Sequence, residues 1–254
     1  MTIELTPSEP IGGADLGSLG EIMKVILRIY RKRLRLRQCL IKAGPENLPD
    51  YELLQVMLFT ISPRAEVDTI VEELLARFGG LAEVMSAEAD ALAVAGLSMD
   101  EIAGMKFVRE VALRFMRAEF RQRPLVGSCD ELIDYCTAQM AYSKVEEFHI
   151  LFLDRKNLLI KDERQQRGTI DHTPVYTREV IKRALELGAS ALILVHNHPS
   201  GDPTPSNTDI AVTREIIKAG TLLGIRVHDH LIIGRGQHVS FRDLGLIRPE
   251  PQTH

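Results

Sequence analysis

Two histidines and an aspartate are spaced so that they could hold a metal ion. The stretch LVHNHPSGDPTPSNTD, residues 194–209, begins as an apolar run that ends at His196 and His198. In a β-strand, residues i and i+2 point to the same face, so both imidazoles should meet at the end of this strand. Imidazoles are common zinc ligands, and a catalytic zinc site takes a third protein ligand and keeps one position open for water. Asp209 is the best candidate for the third ligand.

The loop between the histidines and Asp209 is rich in residues that turn the chain. Its prolines and Gly201 can fold the segment back over the strand end, so that Asp209 lies in the first turn of the next helix. In an alternative interpretation, Ser206 caps this helix and Asp209 only supports the cap. A helix cap does not require the histidines, so the metal interpretation is the more specific of the two.

The order H-x-H-x7-S-x2-D, at His196, His198, Ser206 and Asp209, resembles the JAMM motif of the MPN metallopeptidases. The form HNHPSGDPTPS, with RGTIDHTPVYTREVIKRAL before it and DHLIIG after it, resembles the bacterial RadC family (UPF0758) in particular. The resemblance implies a cytidine-deaminase-like α/β domain in which His196, His198 and Asp209 bind Zn2+. It also implies that Ser206 stabilises the oxyanion of a tetrahedral intermediate.

Hydrolysis at a metal also requires a general base, and two neighbouring glutamates are candidates. Glu146 and Glu147 begin the apolar stretch EEFHILFLD, and they should point to opposite faces of that strand. Hydrophobic periodicity does not choose between them, because the strand is apolar on both faces. The pattern E-x-F-x-x-L-F-L-D of the RadC family places the acid at Glu146. Without that resemblance, both glutamates would be interpreted as solvated charges at a strand start.

A second strand-type histidine pair lies further along the chain, at His228 and His230. It lacks a turn-rich loop and a downstream acid at the spacing of a metal loop. The RadC pattern retains Asp229 and His230 but not His228. We therefore expect this pair to have a supporting or structural role.

The composition and hydrophobic periodicity of the sequence predict two domains after a short N-terminal tail. Residues 1–20 are rich in Gly, Pro, Ser and Thr and predict a disordered tail. Residues 21–120 have helical periodicity, interrupted at Pro63, Gly79–Gly80 and Gly96, and resemble a helix-hairpin-helix region. Residues 124–254 alternate strands and helices and predict the MPN (JAMM) domain. The fold class is therefore α/β with a helical N-terminal domain.

Composition excludes several classes of protein. Hydrophobic residues make up 45% and charged residues 26% of the 254 residues, as in an ordinary globular protein. The chain has neither an apolar run long enough for a membrane span nor a signal-peptide pattern, so we expect a cytoplasmic protein with no membrane contact. The three cysteines, Cys39, Cys129 and Cys136, form no CxxC pair, which indicates free thiols.

Two features of the helical region bear on nucleic acid. RKRLRLR, residues 31–37, places five cations on a short piece of helix, a pattern more typical of a solvated face than of a DNA contact. Gly96-Leu97-Ser98 resembles the turn of a helix-hairpin-helix module but lacks its second glycine. With a net charge of −4 for the chain, we expect weak nucleic-acid binding at most.

These observations lead to two hypotheses of different class. The first is a zinc-dependent hydrolase that cleaves a peptide or isopeptide amide bond in an unidentified peptide or protein substrate. The alternative is a DNA-associated binding protein whose metal site is structural or vestigial. An open metal position next to Glu146 favours the first, and a basic helical domain would favour the second.

Overall fold

A computed structural model describes residues 16–62, 66–120, 122–125, 130–168 and 176–247. Residues 1–15 of the expected tail, the helix break at Pro63 and the thiol of Cys129 lie outside these ranges. Cys39 and Cys136 are free thiols, as expected.

The described residues form nine α-helices and five strands in the order α1–α7, β1, β2, α8, β3, α9, β4 and β5. The helices are α1 (Leu16–Gln38), α2 (Asp50–Ile61), α3 (Val67–Phe78), α4 (Leu81–Ser86), α5 (Ala89–Val94), α6 (Met99–Glu119), α7 (Asp130–Met140), α8 (Thr177–Leu187) and α9 (Asn207–Leu222). The strands are β1 (Glu146–Leu153), β2 (Leu159–Gly168), β3 (Ala191–Asn197), β4 (Arg226–Ile233) and β5 (His238–Ser240). A π-helical turn and a 3-10 turn follow α1, at Cys39–Ala43 and Pro45–Asn47.

The chain divides by its contacts into two compact units, residues 1–77 and residues 78–254. This division differs from the boundary expected near residues 121–123. The difference arises from the packing of α6. Leu113 and Phe120, at the C-terminal end of this helix, are buried in the same apolar cluster as residues of α7 and the sheet. Helices α4 to α6 therefore belong with the α/β unit and not with the N-terminal helices.

The N-terminal unit is helical, and its core follows from helical spacing. In α3, four apolar residues recur at i, i+3, i+4 and i+7 and are buried: Val67, Ile70, Val71 and Leu74. Leu36 of α1 and Leu54 and Leu58 of α2 are also fully buried. Helix α1 begins at Leu16, so the last five residues of the expected tail are helical. The apolar spacing of Leu16, Leu19 and Met23 continues the helical period, and the glycines between them weaken a helix without ending it.

The second unit is built on one five-stranded sheet with strand order β2-β1-β3-β4-β5. Strands β3 and β4 are parallel, and the other neighbouring pairs are antiparallel. The β1–β2 hairpin turns between Leu153 and Leu159, and Asn157 in this turn has a φ of 60°. Asparagine tolerates that left-handed conformation better than most residues.

Helices cover both faces of the sheet, and alternate residues of β3 point to different layers. Leu192 and Leu194 belong to an apolar cluster with residues of α8 and α9. Ile193 and Val195 belong to the cluster on the α7 side. Because both faces of β3 are buried, its first five residues, 191–195, form a continuous apolar run. The predicted fold class, a helical region followed by a mixed α/β domain, is confirmed.

Among the described residues, no helix is both long enough and apolar enough to cross a membrane.

Candidate metal centre

Strand β3 and the loop after it place the two histidines. His196 is 1% exposed and lies on the face of β3 that packs on α8 and α9. His198 follows the strand, where its backbone N–H donates to the carbonyl of Ile233 at 3.0 Å. The loop then turns at Gly201, whose φ of +92° favours glycine. This turn brings the carbonyl of Asp202 to 2.7 Å from Nδ1 of His198.

The start of α9 places Asp209. Ser206 is the N-cap: its Oγ accepts from the backbone N–H of Asp209 at 3.1 Å, and the Asp209 carboxylate accepts from the Ser206 N–H at 2.7 Å. The hydroxyl of Ser206 also donates to Oδ2 of Asp209 at 2.6 Å. The two interpretations of this sequence are therefore compatible, since Asp209 supports the cap and also faces the histidines.

The three predicted ligands converge at one point. Nε2 of His196 lies 3.0 Å from Nε2 of His198 and 3.3 Å from Oδ1 of Asp209, and Nε2 of His198 lies 3.6 Å from Oδ2 of Asp209. Ligand atoms around a tetrahedral zinc lie roughly 3.3 Å apart, given metal–ligand distances of about 2.0–2.1 Å. Two imidazoles and one carboxylate are also a ligand set that zinc accepts, so the residues fit this ion. Within the described ranges they are the one His/Cys/Asp/Glu group close enough to hold a metal.

The protonation states of the three residues are compatible with a cation between them. Burial lowers the pKa of His196 to about 4, so its imidazole is neutral, which is the ligand form. Burial opposes ionisation of Asp209, but its interaction with His198 and the hydrogen bonds from Ser206 hold the pKa of Asp209 well below the usual range. The hydrogen bond to Asp209 raises the pKa of His198. These shifts favour an ion pair between His198 and Asp209, and a metal ion would replace the proton of that pair.

The two candidate bases lie on opposite faces of β1. Phe148 pairs with His196 across the sheet, and Ile150 and Phe152 share the α8/α9 side with His196. Glu146 continues this alternation and so lies on the side of the metal ligands. Desolvation raises the pKa of the Glu146 carboxyl, while His198 opposes the shift and Asp209 adds to it. Glu146 is therefore within electrostatic reach of the ligands.

Glu147 lies in a polar cleft on the α7 side of the sheet. Its carboxylate accepts from Ser143 Oγ at 3.2 Å and lies 3.4 Å from Nε2 of His149 and 3.5 Å from Nη1 of Arg164. The cleft has a volume of about 300 Å³, and Arg109 of α6 lies at its wall. These partners turn Glu147 away from the candidate metal centre.

Asn197, between the two histidines, is a residue that the sequence did not identify. It is fully buried and points to the face opposite His196. Its Oδ1 accepts from the backbone N–H of Glu147 at 2.9 Å, and its Nδ2 donates to the carbonyl of Val145 at 3.2 Å. Asn197 thereby ties the start of β1, which carries Glu146, to the end of β3. In the sequence, the position of Asn197 between two candidate ligands could have indicated that it has a role at this site.

The second histidine pair separates into residues with different surroundings. Nε2 of His228 lies 2.7 Å from Oδ1 of Asn157, in the β1–β2 turn. Asp229 is buried, where it accepts from Ser240 Oγ at 2.6 Å and from the Arg242 N–H at 3.0 Å. Only His230 reaches the candidate metal centre, with its Nε2 2.8 Å from Nδ1 of His196.

A further residue missed at the sequence level, Thr213, contacts His230. Its Oγ1 lies 2.6 Å from Nδ1 of His230 and also donates to the carbonyl of Asp209 at 2.6 Å. Both Thr213 and His230 are buried. The helical spacing of Asp209 and Thr213, four residues apart on one face of α9, could have indicated that Thr213 lies next to Asp209 but not that it contacts His230.

The features that bear on nucleic acid take part in local structure. In the basic run, Lys32 pairs with Asp68 at 2.8 Å, Arg35 pairs with Glu52, and the guanidinium of Arg33 lies over the ring of Phe59. These contacts compete with any phosphate for the three cations.

The Gly96-Leu97-Ser98 turn leads directly into α6. Ser98 has an ordinary φ of −75° and forms a capping box with Glu101. The N–H groups of Ser98 and Glu101 donate to each other's side chains, at 2.7 and 3.4 Å. Two backbone donors that could face a phosphate are therefore already paired.

Comparison with known proteins places this site in a family. Residues 126–246 match the RadC-like JAB domain. A UPF0758 protein of Rhodobacter capsulatus is 51% identical over 213 residues, which are 84% of this chain and 100% of the relative. A UPF0758 protein of Ruegeria pomeroyi is 50% identical over 226 residues, which are 89% of this chain and 100% of the relative. The similarity thus includes helical residues before the JAB domain, and the chain belongs to the RadC-like JAB domain family of UPF0758 proteins.

Proposed function

We propose that the protein is a zinc-dependent hydrolase that cleaves an amide bond in a peptide or protein substrate. His196, His198 and Asp209 would hold the zinc ion. Zinc, when bound, supplies a Lewis acid that polarises a carbonyl and lowers the pKa of a water near pH 7. The observation that carries the proposal is the convergence of these three side chains beside Glu146.

Glu146 would be the general base of this reaction. Its carboxylate would take a proton from the attacking water and deliver it to the leaving amine. A raised pKa suits both steps, because the group must release the proton that it accepts. Since Glu146 is not among the converging ligands, it can change protonation state without releasing the metal.

Ser206 would have two roles in succession. In the metal-free protein its hydroxyl donates to the Asp209 carboxylate, which holds that ligand in place. When Asp209 turns its charge towards a cation, the hydroxyl hydrogen can face the oxygen of a substrate carbonyl and stabilise the developing oxyanion.

Metal analysis combined with a peptide-library screen tests the proposal. We expect about one zinc per purified chain, cleavage of a subset of library peptides or isopeptides, loss of cleavage on chelation and recovery on adding zinc. A chain that carries no zinc contradicts the metal assignment. A chain that carries stoichiometric zinc and cleaves no amide substrate contradicts the hydrolase assignment and leaves a structural metal.

A further inference from the structure

A chain of hydrogen bonds connects two of the candidate ligands through the protein interior. It runs from Nδ1 of His196 to Nε2 of His230 at 2.8 Å, and from Nδ1 of His230 to Oγ1 of Thr213 at 2.6 Å. From Thr213 it reaches the backbone carbonyl of Asp209 at 2.6 Å. Its three side chains, of His196, His230 and Thr213, belong to residues at most 2% exposed. The chain of hydrogen bonds thus starts at one ligand and ends at another.

The last member of this chain determines its direction. A backbone carbonyl can only accept, so the single hydroxyl hydrogen of Thr213 is used on Asp209. Oγ1 of Thr213 must then accept from His230, and the ring proton of His230 is on Nδ1. Nε2 of His230 is left as an acceptor for a proton on Nδ1 of His196.

This direction leaves His196 in the form that binds a metal. With its proton on Nδ1, the lone pair on Nε2 points to His198 and Asp209. The opposite direction would place a proton on Nε2 of His196, where a metal ligand needs a lone pair. His198 reaches the same form separately, because its Nδ1 faces the carbonyl of Asp202.

We propose that Thr213 is a positioning residue that acts through His230 to hold His196 in its metal-binding tautomer. The inference rests on the proposed function in one respect, that His196 is a metal ligand. Neither Thr213 nor His230 touches the metal or the substrate in this scheme. The hydroxyl of Thr213 also couples the two ligands, since it bonds to the backbone of Asp209.

Zinc affinity of Thr213 variants tests this role without reference to activity. Thr213→Val keeps the shape but removes the hydroxyl, and Thr213→Ser keeps the hydroxyl. By chelator competition, we expect zinc to bind about 10–100-fold more weakly to the valine variant and within about threefold of wild type to the serine variant. Thr221→Val is the matched control, because Thr221 donates to the carbonyl of Ile217 in the same helix and has no hydrogen bond to a histidine in the described part of the chain. Equal affinities for Thr213→Val and Thr221→Val would overturn the proposal.

Ring-nitrogen NMR of zinc-free protein provides a second readout that is independent of metal binding. In wild type we expect both His196 and His230 to carry the ring proton on Nδ1. In Thr213→Val, His230 loses its acceptor, and we expect a population of His230 with the proton on Nε2. If wild-type His230 carries its proton on Nε2, the proposed direction is wrong even if zinc binds. If wild type binds no zinc but shows the expected tautomers, the hydrogen-bond direction holds, and the proposed function and the metal-binding part of the inference fail.

Discussion

Glu146 and Glu147 are neighbours in the chain, but their side chains lie on opposite faces of β1. Glu146 shares its face with His196, and Glu147 contacts Ser143, His149 and Arg164 on the other face. Two adjacent residues of one strand therefore have different roles: Glu146 is a candidate catalytic base, and Glu147 is a structural acid.

We expect Glu146→Gln to retain zinc and to lose hydrolysis. The variant removes the carboxylate that moves the proton but leaves the three ligands unchanged, so kcat should fall by about 100-fold or more. Glu147→Gln is the matched control and should keep most of the activity, at some cost in stability. Zinc content and kcat are measured for both. Similar losses of kcat in the two variants would show that the face of the strand does not determine the base.

Two histidine variants test which of the two histidine pairs binds the zinc ion. We expect His196→Ala to lose the zinc, because the buried Nε2 of His196 faces the other two ligands. His228→Ala should keep it, since His228 contacts Asn157 in the β1–β2 turn. Metal analysis of the two purified proteins decides the matter. Zinc that survives in His196→Ala and is lost in His228→Ala would reverse the assignment.

Ser206 and Ser98 begin α9 and α6 with the same capping box, which permits a controlled comparison. Loss of an N-cap serine costs about 1 kcal/mol of stability, so both Ser206→Ala and Ser98→Ala should lower the free energy of unfolding by this amount. Only Ser206→Ala should also weaken zinc binding and lower kcat, because its hydroxyl holds Asp209. Denaturant unfolding of zinc-free protein and chelator competition measure the two effects. Identical zinc affinities in both variants would limit Ser206 to a capping role.

A buried ionic network on the α7 side of the sheet predicts a pH-dependent stability. Nδ1 of His149 lies 3.1 Å from Oδ1 of Asp162, and the other carboxylate oxygen, Oδ2, accepts from Tyr135 and Gln139. Although burial opposes both charges, the hydrogen bonds raise the pKa of His149 above 6.5 and lower that of Asp162 below 3.8. The stability contributed by His149 is complete below pH 6.5 and is lost as the pH rises through its folded pKa. The contribution of Asp162 is present above pH 3.8 and is lost in acid.

His149→Gln should therefore destabilise the zinc-free protein most between these two limits. We expect a loss of about 3 kcal/mol near the middle of the window, shrinking as the pH rises above the folded pKa of His149. The exposed His238 of β5 provides the control His238→Gln, which should change little at any pH. Denaturant unfolding across the pH range measures the difference. A loss that stays constant into alkaline pH would mean that His149 is neutral in the folded protein.

The sequence located the candidate ligands because their geometry is local. Same-face spacing in a strand and the first turn of a helix need no knowledge of tertiary contacts. The choice between Glu146 and Glu147 needed the family pattern, because β1 is apolar on both faces. The role of Thr213 could not be predicted from the sequence, because its contact with His230 forms only when α9 packs on the sheet. The division of the chain at residue 77 could not be read from the sequence for a similar reason, since the burial of Leu113 in the same apolar cluster as α7 is a tertiary contact.

For the alternative hypothesis of a DNA-associated protein, the question is which cations of the basic run, residues 31–37, are available to contact phosphates. Arg31 and Arg37 are exposed and form no ion pair within the ranges that the structure describes, whereas Lys32, Arg33 and Arg35 have partners. Any electrostatic contact of residues 31–37 with phosphates should therefore depend on Arg31 and Arg37. We expect the full chain to bind duplex DNA weakly and without sequence preference, with binding that fades between about 50 and 200 mM salt.

A salt titration of full-length variants against labelled duplex tests this expectation. Each phosphate contact contributes about 0.9 to the slope of log K against log salt, so Arg31→Ala with Arg37→Ala should flatten the slope by about 2. Arg155→Ala with Lys156→Ala removes the same charge from the exposed β1–β2 turn and should leave the slope unchanged. Tight binding that persists at high salt, or that follows one sequence, would require a recognition surface other than this helix. Such a result would favour the DNA-associated function over the hydrolase.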